Sequence, residues 1–396
     1  MKYDFTTLQP RAGVGSIKWN MMHAIRKDLP EDVIPLSVAD MEFLNAPQIA
    51  REVGKYLQEM ILGYTDITDG YYDAVLGWME RRHGWKPERE WLMTWAGVVP
   101  ALYQAVQAYT DEGDGVIIFP PAYPPFFGAI RQGGRQVVEC PLLYENNRYD
   151  IDFALFEKLA AEKSSKLLIL ASPHNPVGRV WRREELARVA EICERNDVVV
   201  VSDEIHSDLI VGDVKHTVFA DVSEAAKNNC VVCTAPSKTF NLAGMQTSNL
   251  FIPNPALRQK LAERKAKLGI GGCNIAGYKA CQVAYDQCED WLDELLEVLR
   301  ENKKLMETFL AEHIPEIKLI PLEGTYLQWM DCRGLGMNTE ELEKFMQSAL
   351  WFTDEGYIFE TGGHGFERIN IACPTWVLQR LLERLAKAWD ERKAGK

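Results

Sequence analysis

Three polar side chains lie just beyond three apolar runs. Asn175 follows KLLILASPH (166–174), Asp203 follows VVVVS (198–202) and Lys238 follows CVVCTAPS (230–237). A lysine at the exit of a buried strand is out of place unless something pairs with it or reacts with it. Taken singly, each residue has an ordinary reading. Asn-Pro is a turn former, Asp203 suits a helix cap, and Lys238 suits a solvated surface. Their placement on three successive strand exits is harder to assign to coincidence. An amine can form a Schiff base with an aldehyde, a carboxylate can hold a heterocyclic nitrogen protonated, and an amide can donate to a ring hydroxyl oxygen.

That set of groups matches the needs of pyridoxal phosphate. Its phosphate requires donors, and AGVVPALYQAVQAYT (96–110) offers Gly97, Val98 and Val99 at the start of a helical pattern, where free N–H groups favour an anion. The Ser237 hydroxyl adds a further donor. Tyr123, in PPAYPPF (120–126), sits just past another apolar run and suits stacking on a ring or packing in the core.

The elements that must position these groups read as an α/β fold. Short apolar runs without alternation recur at 116–125, 166–178, 198–208, 230–238 and 249–255, with helical stretches such as REELARVAEICERN (183–196) between them. Such runs suit strands buried on both faces and joined by parallel crossovers. In open parallel sheets, ligands bind beyond the carboxyl ends of the strands. The expectation is a large unit over 46–289 and a smaller α+β unit made of 1–45 and 290–396. Leu292, Leu295, Leu296 and Leu299 predict a long amphipathic helix over 291–313.

Composition narrows the classes of function. The formal net charge of −13 argues against a nucleic-acid partner. No window is long and apolar enough to span a bilayer, and MKYDFTTLQP lacks the apolar core of a secretory signal, so a cytoplasmic location is expected. Nine cysteines, an odd number, do not read as a disulfide scaffold. Cys230 and Cys233 have metal-like spacing, but in a strand they point to opposite faces, so no metal site is expected. Cys273, Cys281 and Cys288 recur near helical spacing and are expected to face a core.

Several of these stretches together resemble a known family. GYT (63–65), PPAYPPF, SPHNPVGRVW (172–181), SDEIHSDL (202–209), PSKTFNLAG (236–244) and RINIACP (368–374) resemble the fold-type I pyridoxal-phosphate enzymes. More narrowly, they are similar to the cystathionine β-lyase branch of MalY and PatB type. The resemblance implies a seven-stranded, mostly parallel sheet and a small α+β domain. It makes Lys238 the Schiff-base lysine, Asp203 the partner of the ring nitrogen, and Asn175 and His206 contacts of the ring hydroxyl oxygen. Tyr123 becomes the stacking ring. Arg368 becomes the anchor of the substrate α-carboxylate, with Ala39 and Asn175 beside it. Tyr64 would reach the phosphate of a neighbouring subunit and share in catalysis, which implies a homodimer.

The implied reaction releases a thiol, pyruvate and ammonia from cystathionine or a related cysteine S-conjugate. The alternatives are an aminotransferase, or a MalY-like protein that restrains a transcription activator. Glu42, Thr375 and Gln246 depart from patterns common in the branch or the wider superfamily. Trp19, Tyr326 and Tyr357 either line the thiol pocket or belong to the core.

Overall fold

The computed structural model describes residues 1–395. Its main sheet has seven strands: β1 (Leu92–Trp95), β2 (Gly115–Ile118), β3 (Gln136–Glu139), β6 (Ser165–Ala171), β7 (Val199–Asp203), β8 (Cys230–Thr234) and β9 (Ser248–Phe251). Their spatial order is β1-β9-β8-β7-β6-β2-β3. A separate hairpin joins β4 (Leu143–Glu145) to β5 (Arg148–Asp150).

All strand pairings in the main sheet are parallel except those of β9, which runs against both β1 and β8. The apolar run over 249–255 reads like its parallel neighbours, yet this strand is reversed. Only the short helix Pro236–Thr239 and one 3₁₀ turn separate β8 from β9. Parallel pairing of adjacent strands needs a crossover, usually a full helix packed over the sheet.

Both sheet faces are covered. Leu168, Leu170, Val200, Cys230 and Val232 pack into one apolar cluster, while Leu167, Ile169, Val201, Val231 and Cys233 pack into the other. Alternate side chains thus enter opposite layers, as the pleat requires. Cys230 and Cys233 fall on opposite faces. Cys273, Cys281 and Cys288 are buried.

A second sheet is antiparallel, in the order β10-β11-β13-β12, from β10 (Lys318–Leu319), β11 (Leu327–Asp331), β12 (Asp354–Glu355) and β13 (Phe366–Asn370). The helix Glu289–His313 leads into it, with Leu292, Leu295, Leu296 and Leu299 all buried. It packs on the C-terminal helix Thr375–Lys393. Residues 36–42 hydrogen-bond to this second region through Leu36 N–H to Phe352, Asn370 N–H to Leu36, and Glu42 N–H to Ala372. None of the described helices is long and apolar enough to cross a membrane.

Candidate active site

Strands β6, β7 and β8 are neighbours in the sheet, so their exits are neighbours too. Asn175, Asp203 and Lys238 line one cavity of about 250 Å³, together with Ala39, Gly97, Val98, Val99, Tyr123, His206, Ser237 and Gln246. A larger hollow of about 730 Å³ lies beside Trp19 and Trp376 and contains none of these groups.

Lys238 sits in the one-turn helix that follows β8, with Pro236 pre-set for its first position. Its Nζ donates to the Ala39 carbonyl at 2.8 Å. The Tyr326 hydroxyl donates to the same oxygen at 2.9 Å. Burial lowers the Lys238 pKa to about 8, and the Arg368 charge adds to the shift, against the pull of Asp40 and Asp203. The amine is therefore partly neutral near physiological pH.

The carbonyl of Ala39 belongs to a tightly held strap. Asn370 Nδ2 donates to the carbonyls of Val38 and Asp40 at 2.9 and 2.6 Å. The Met41 amide donates to Asn241 Oδ1 at 2.9 Å. Lys18, 1% exposed along its side chain, reaches Glu42 at 2.6 Å and the Asp40 carbonyl at 2.8 Å. Val38 adopts φ +57°, a region that β-branched residues avoid, and its amide donates to Asp354 Oδ2 at 2.9 Å.

Asp354 also accepts from Arg368 Nη2 at 2.5 Å, and Arg368 Nη1 donates to Asn175 Oδ1 at 2.8 Å. The register of β12 and β13 sets Asp354 directly opposite Arg368. Cross-strand pairs of this kind are the contact unit of a sheet. Arg368 thus links the second sheet to the exit of β6.

Asp203 is buried, and its Oδ1 accepts from the Ile205 amide at 3.2 Å. Burial pushes its carboxyl up to about 7, although the Ile205 amide and Lys238 pull it down. His206 is held well below the usual histidine range by burial and by the charges of Lys238 and Arg368. Its Nδ1 has no partner among the described residues. Gly97, at φ +107°, turns the chain into the helix Val98–Tyr109, whose first N–H groups have no acceptor within the helix.

These groups fit pyridoxal phosphate. The cradle supplies a buried amine of lowered pKa and a buried carboxyl whose ionisation a cationic ring nitrogen would favour. It also supplies an orphaned imidazole nitrogen, an aromatic ring at Tyr123 and a helix N-terminus for the phosphate.

Tyr64 stands apart. It is fully exposed and does not line this chain's cavity. Trp19 is buried with its Nε1 on Glu42 at 3.1 Å, and the Tyr357 hydroxyl points to Glu343 at 3.4 Å. Of those three aromatics, Tyr326 alone reaches the Ala39 carbonyl that holds Lys238, while Trp19 touches the strap at Glu42. Asp354, Asn370 and Asn241 were not read as site residues from the sequence. Each acts through a backbone group far away along the chain, so although Asn241 and Asn370 lie within PSKTFNLAG and RINIACP, nothing local gives them a role.

Residues 31–385 match the aminotransferase class I and II family. The chain belongs to that family. It is 38% identical to cystathionine beta-lyase PatB of Bacillus subtilis over 386 residues, covering 97% of this chain and 99% of that protein. Among solved structures, it is 46% identical to cystalysin from Treponema denticola, which contains a pyridoxal 5′-phosphate cofactor. The TM-score is 0.97, with 99% of this chain and 100% of that one covered. The PLP-bound C-S lyase from Staphylococcus hominis is 31% identical, with a TM-score of 0.89 and 98% of each chain covered. The fold is that of fold-type I pyridoxal-phosphate enzymes, as the family and its seven-stranded sheet require.

Proposed function

We propose that this chain is a pyridoxal-phosphate-dependent carbon–sulfur β-lyase. With one water, it cleaves cystathionine or a related cysteine S-conjugate to a thiol, pyruvate and ammonia. The observation that carries this reading is the convergence of Lys238, Asp203 and the Arg368–Asn175 pair on one buried cavity, in a chain so similar to carbon–sulfur lyases.

Bound there, the cofactor supplies an aldehyde for amines and a ring that accepts electrons from the substrate. The protein does the rest. Asp203 would keep a proton on the ring nitrogen, Asn175 and His206 would hold the ring hydroxyl oxygen, and Tyr123 would pack on the ring. Gly97, Val98, Val99 and Ser237 would hold the phosphate. Arg368 takes the substrate α-carboxylate through its planar fork, close to Ala39 and Asn175. Lys238, neutral in part because it is buried, takes the proton from Cα, a role worth on the order of 10²–10⁴-fold. The thiolate then leaves from Cβ.

The same reading makes the protein a homodimer in which Tyr64 of one copy serves the site of the other. Its support is the full exposure of Tyr64 beside the exposed apolar residues Ile61 and Leu62. It also divides the chain into a large unit over 46–289 and a small one of 1–45 with 290–396, on the strength of the two separate sheets. A cytoplasmic location fits nine buried cysteines that carry free thiols.

The test is incubation with cystathionine and no keto acid. Pyruvate should accumulate over many turnovers in proportion to thiol. A single stoichiometric turnover that then stops would instead identify an aminotransferase, the activity after which the family is named.

A further inference from the structure

A second polar cavity, of about 300 Å³, lies behind the cofactor cradle. It is lined by cationic side chains from three parts of the fold. Arg82 and His83 end the helix Asp69–His83, Lys215 lies on the loop after β7, and Arg300 projects from the helix Glu289–His313. Arg82 is paired with Asp293 at 2.8 Å and Glu289 at 3.3 Å. Among the described residues, neither Lys215 nor Arg300 has an ion-pair partner, and Arg300 reaches only the Ile210 carbonyl, at 3.2 Å. Arg81, Arg82, Lys215 and Arg300 outnumber the lining carboxylates Glu289 and Asp208, while Asp293 and Glu204 stand behind Arg82 and His216, which leaves Lys215 and Arg300 as the cations without a carboxylate partner among the described residues.

Two histidines complete the lining. Each binds a carboxylate that adjoins the cradle. His83 Nε2 meets Asp208 Oδ1 at 2.8 Å, and Asp208 Oδ2 accepts from Thr239, the neighbour of Lys238, at 2.7 Å. His216 Nε2 meets Glu204, the neighbour of Asp203, at 2.8 Å. The two rings meet edge to face at 5.5 Å. The side chain of His216 is 2% exposed, and its Nδ1 has no partner among the described residues. With Nε2–H on Glu204, Nδ1 of the neutral ring is an acceptor, and left unpaired it costs stability unless a phosphate O–H or a water donates to it.

We propose that this cavity binds a phosphate-class anion, either inorganic phosphate or a small phosphomonoester. Lys215, Arg300 and Arg82 carry its charge, and the two imidazoles border it. The chains His83–Asp208–Thr239 and His216–Glu204 connect the site to the sequence neighbours of Lys238 and Asp203. The site lies outside the cavity that holds the cofactor groups, so the binding itself does not rest on the reaction proposed above.

The competing role for Arg82 and His83 is to offset the dipole at the helix C-terminus. That role affects stability but needs no ligand, and it does not account for Lys215 or Arg300. The experiment is calorimetric titration of the holoenzyme, at fixed ionic strength, with inorganic phosphate in one arm and glycerol 3-phosphate in the other. Saturable binding is expected, and the tighter arm tells the free ion from the ester. Lys215 and Arg300 are exposed, so Lys215→Ala and Arg300→Ala should both fold. Each should weaken binding roughly tenfold, as expected for loss of one charge-assisted contact. Absence of saturable binding in both arms, or equal affinity in the double variant, overturns the proposal.

Discussion

At the scale of single residues, the group that holds Lys238 is a backbone carbonyl. That contact was illegible in the sequence, where Ala39 carries no chemical signal of its own and entered only through the family resemblance, as a neighbour of the substrate. Asn175, Asp203 and Lys238 were legible because each is a polar type in an apolar neighbourhood. Asp354 was not, since its partners Val38 and Arg368 are brought to it only by the folded second sheet.

Two predictions belong here. Only the neutral amine can attack an aldehyde, so uptake of pyridoxal phosphate by the apoprotein should accelerate as pH rises through about 8. The positive charge of Arg368 lowers the lysine pKa. Arg368→Gln should therefore raise that pKa and move the uptake curve to higher pH, followed by visible absorbance. A curve that stays put or moves down would contradict this origin of the shift. Second, Asp354→Asn removes the negative partner of a buried guanidinium. It should destabilise the protein by about 3 kcal/mol, read from denaturant midpoints. It should also raise KM for the amino-acid substrate more than it lowers kcat.

At the scale of elements, strand positions were readable from apolar runs, because burial on both faces leaves a compositional mark. Strand direction was not. The run that became β9 has the same composition as its parallel neighbours, and its reversal follows from the short connection before it. The helix N-terminus at Gly97 was readable from its glycine and the helical pattern that follows. A Cβ at position 97 would meet nothing nearer than Pro100 Cδ at 3.5 Å, so space is available there, but φ +107° is not open to other residues without strain. Gly97→Ala should cost about 1–2 kcal/mol through the backbone. It should also loosen the cofactor, measured as faster loss of pyridoxal phosphate on dialysis. Unchanged retention would place the phosphate elsewhere.

At the scale of the whole molecule, the proposed dimer makes a complementation prediction. Lys238→Ala removes the amine from one copy, and Tyr64→Ala, in the other copy, removes the group that the other copy lends to its neighbour. Each variant alone should be nearly inactive. Co-refolded in equal amounts, they should form heterodimers with one intact site, recovering about a quarter of wild-type activity if subunits assort at random. No recovery would mean that Tyr64 serves its own chain, and an active Tyr64→Ala variant would mean that it serves none.

The strap at residues 38–42 also bears on how the protein is made. Its anchors, Asn241, Asp354 and Asn370, emerge from the ribosome long after it does. At about 5–20 residues per second, the strap waits on the order of tens of seconds before the last anchor exists. During synthesis, Lys238 has no fixed acceptor, and the early segment has no docking place. A nascent chain cut short before β13 should therefore be unable to seat the strap, however much of the main sheet has already formed.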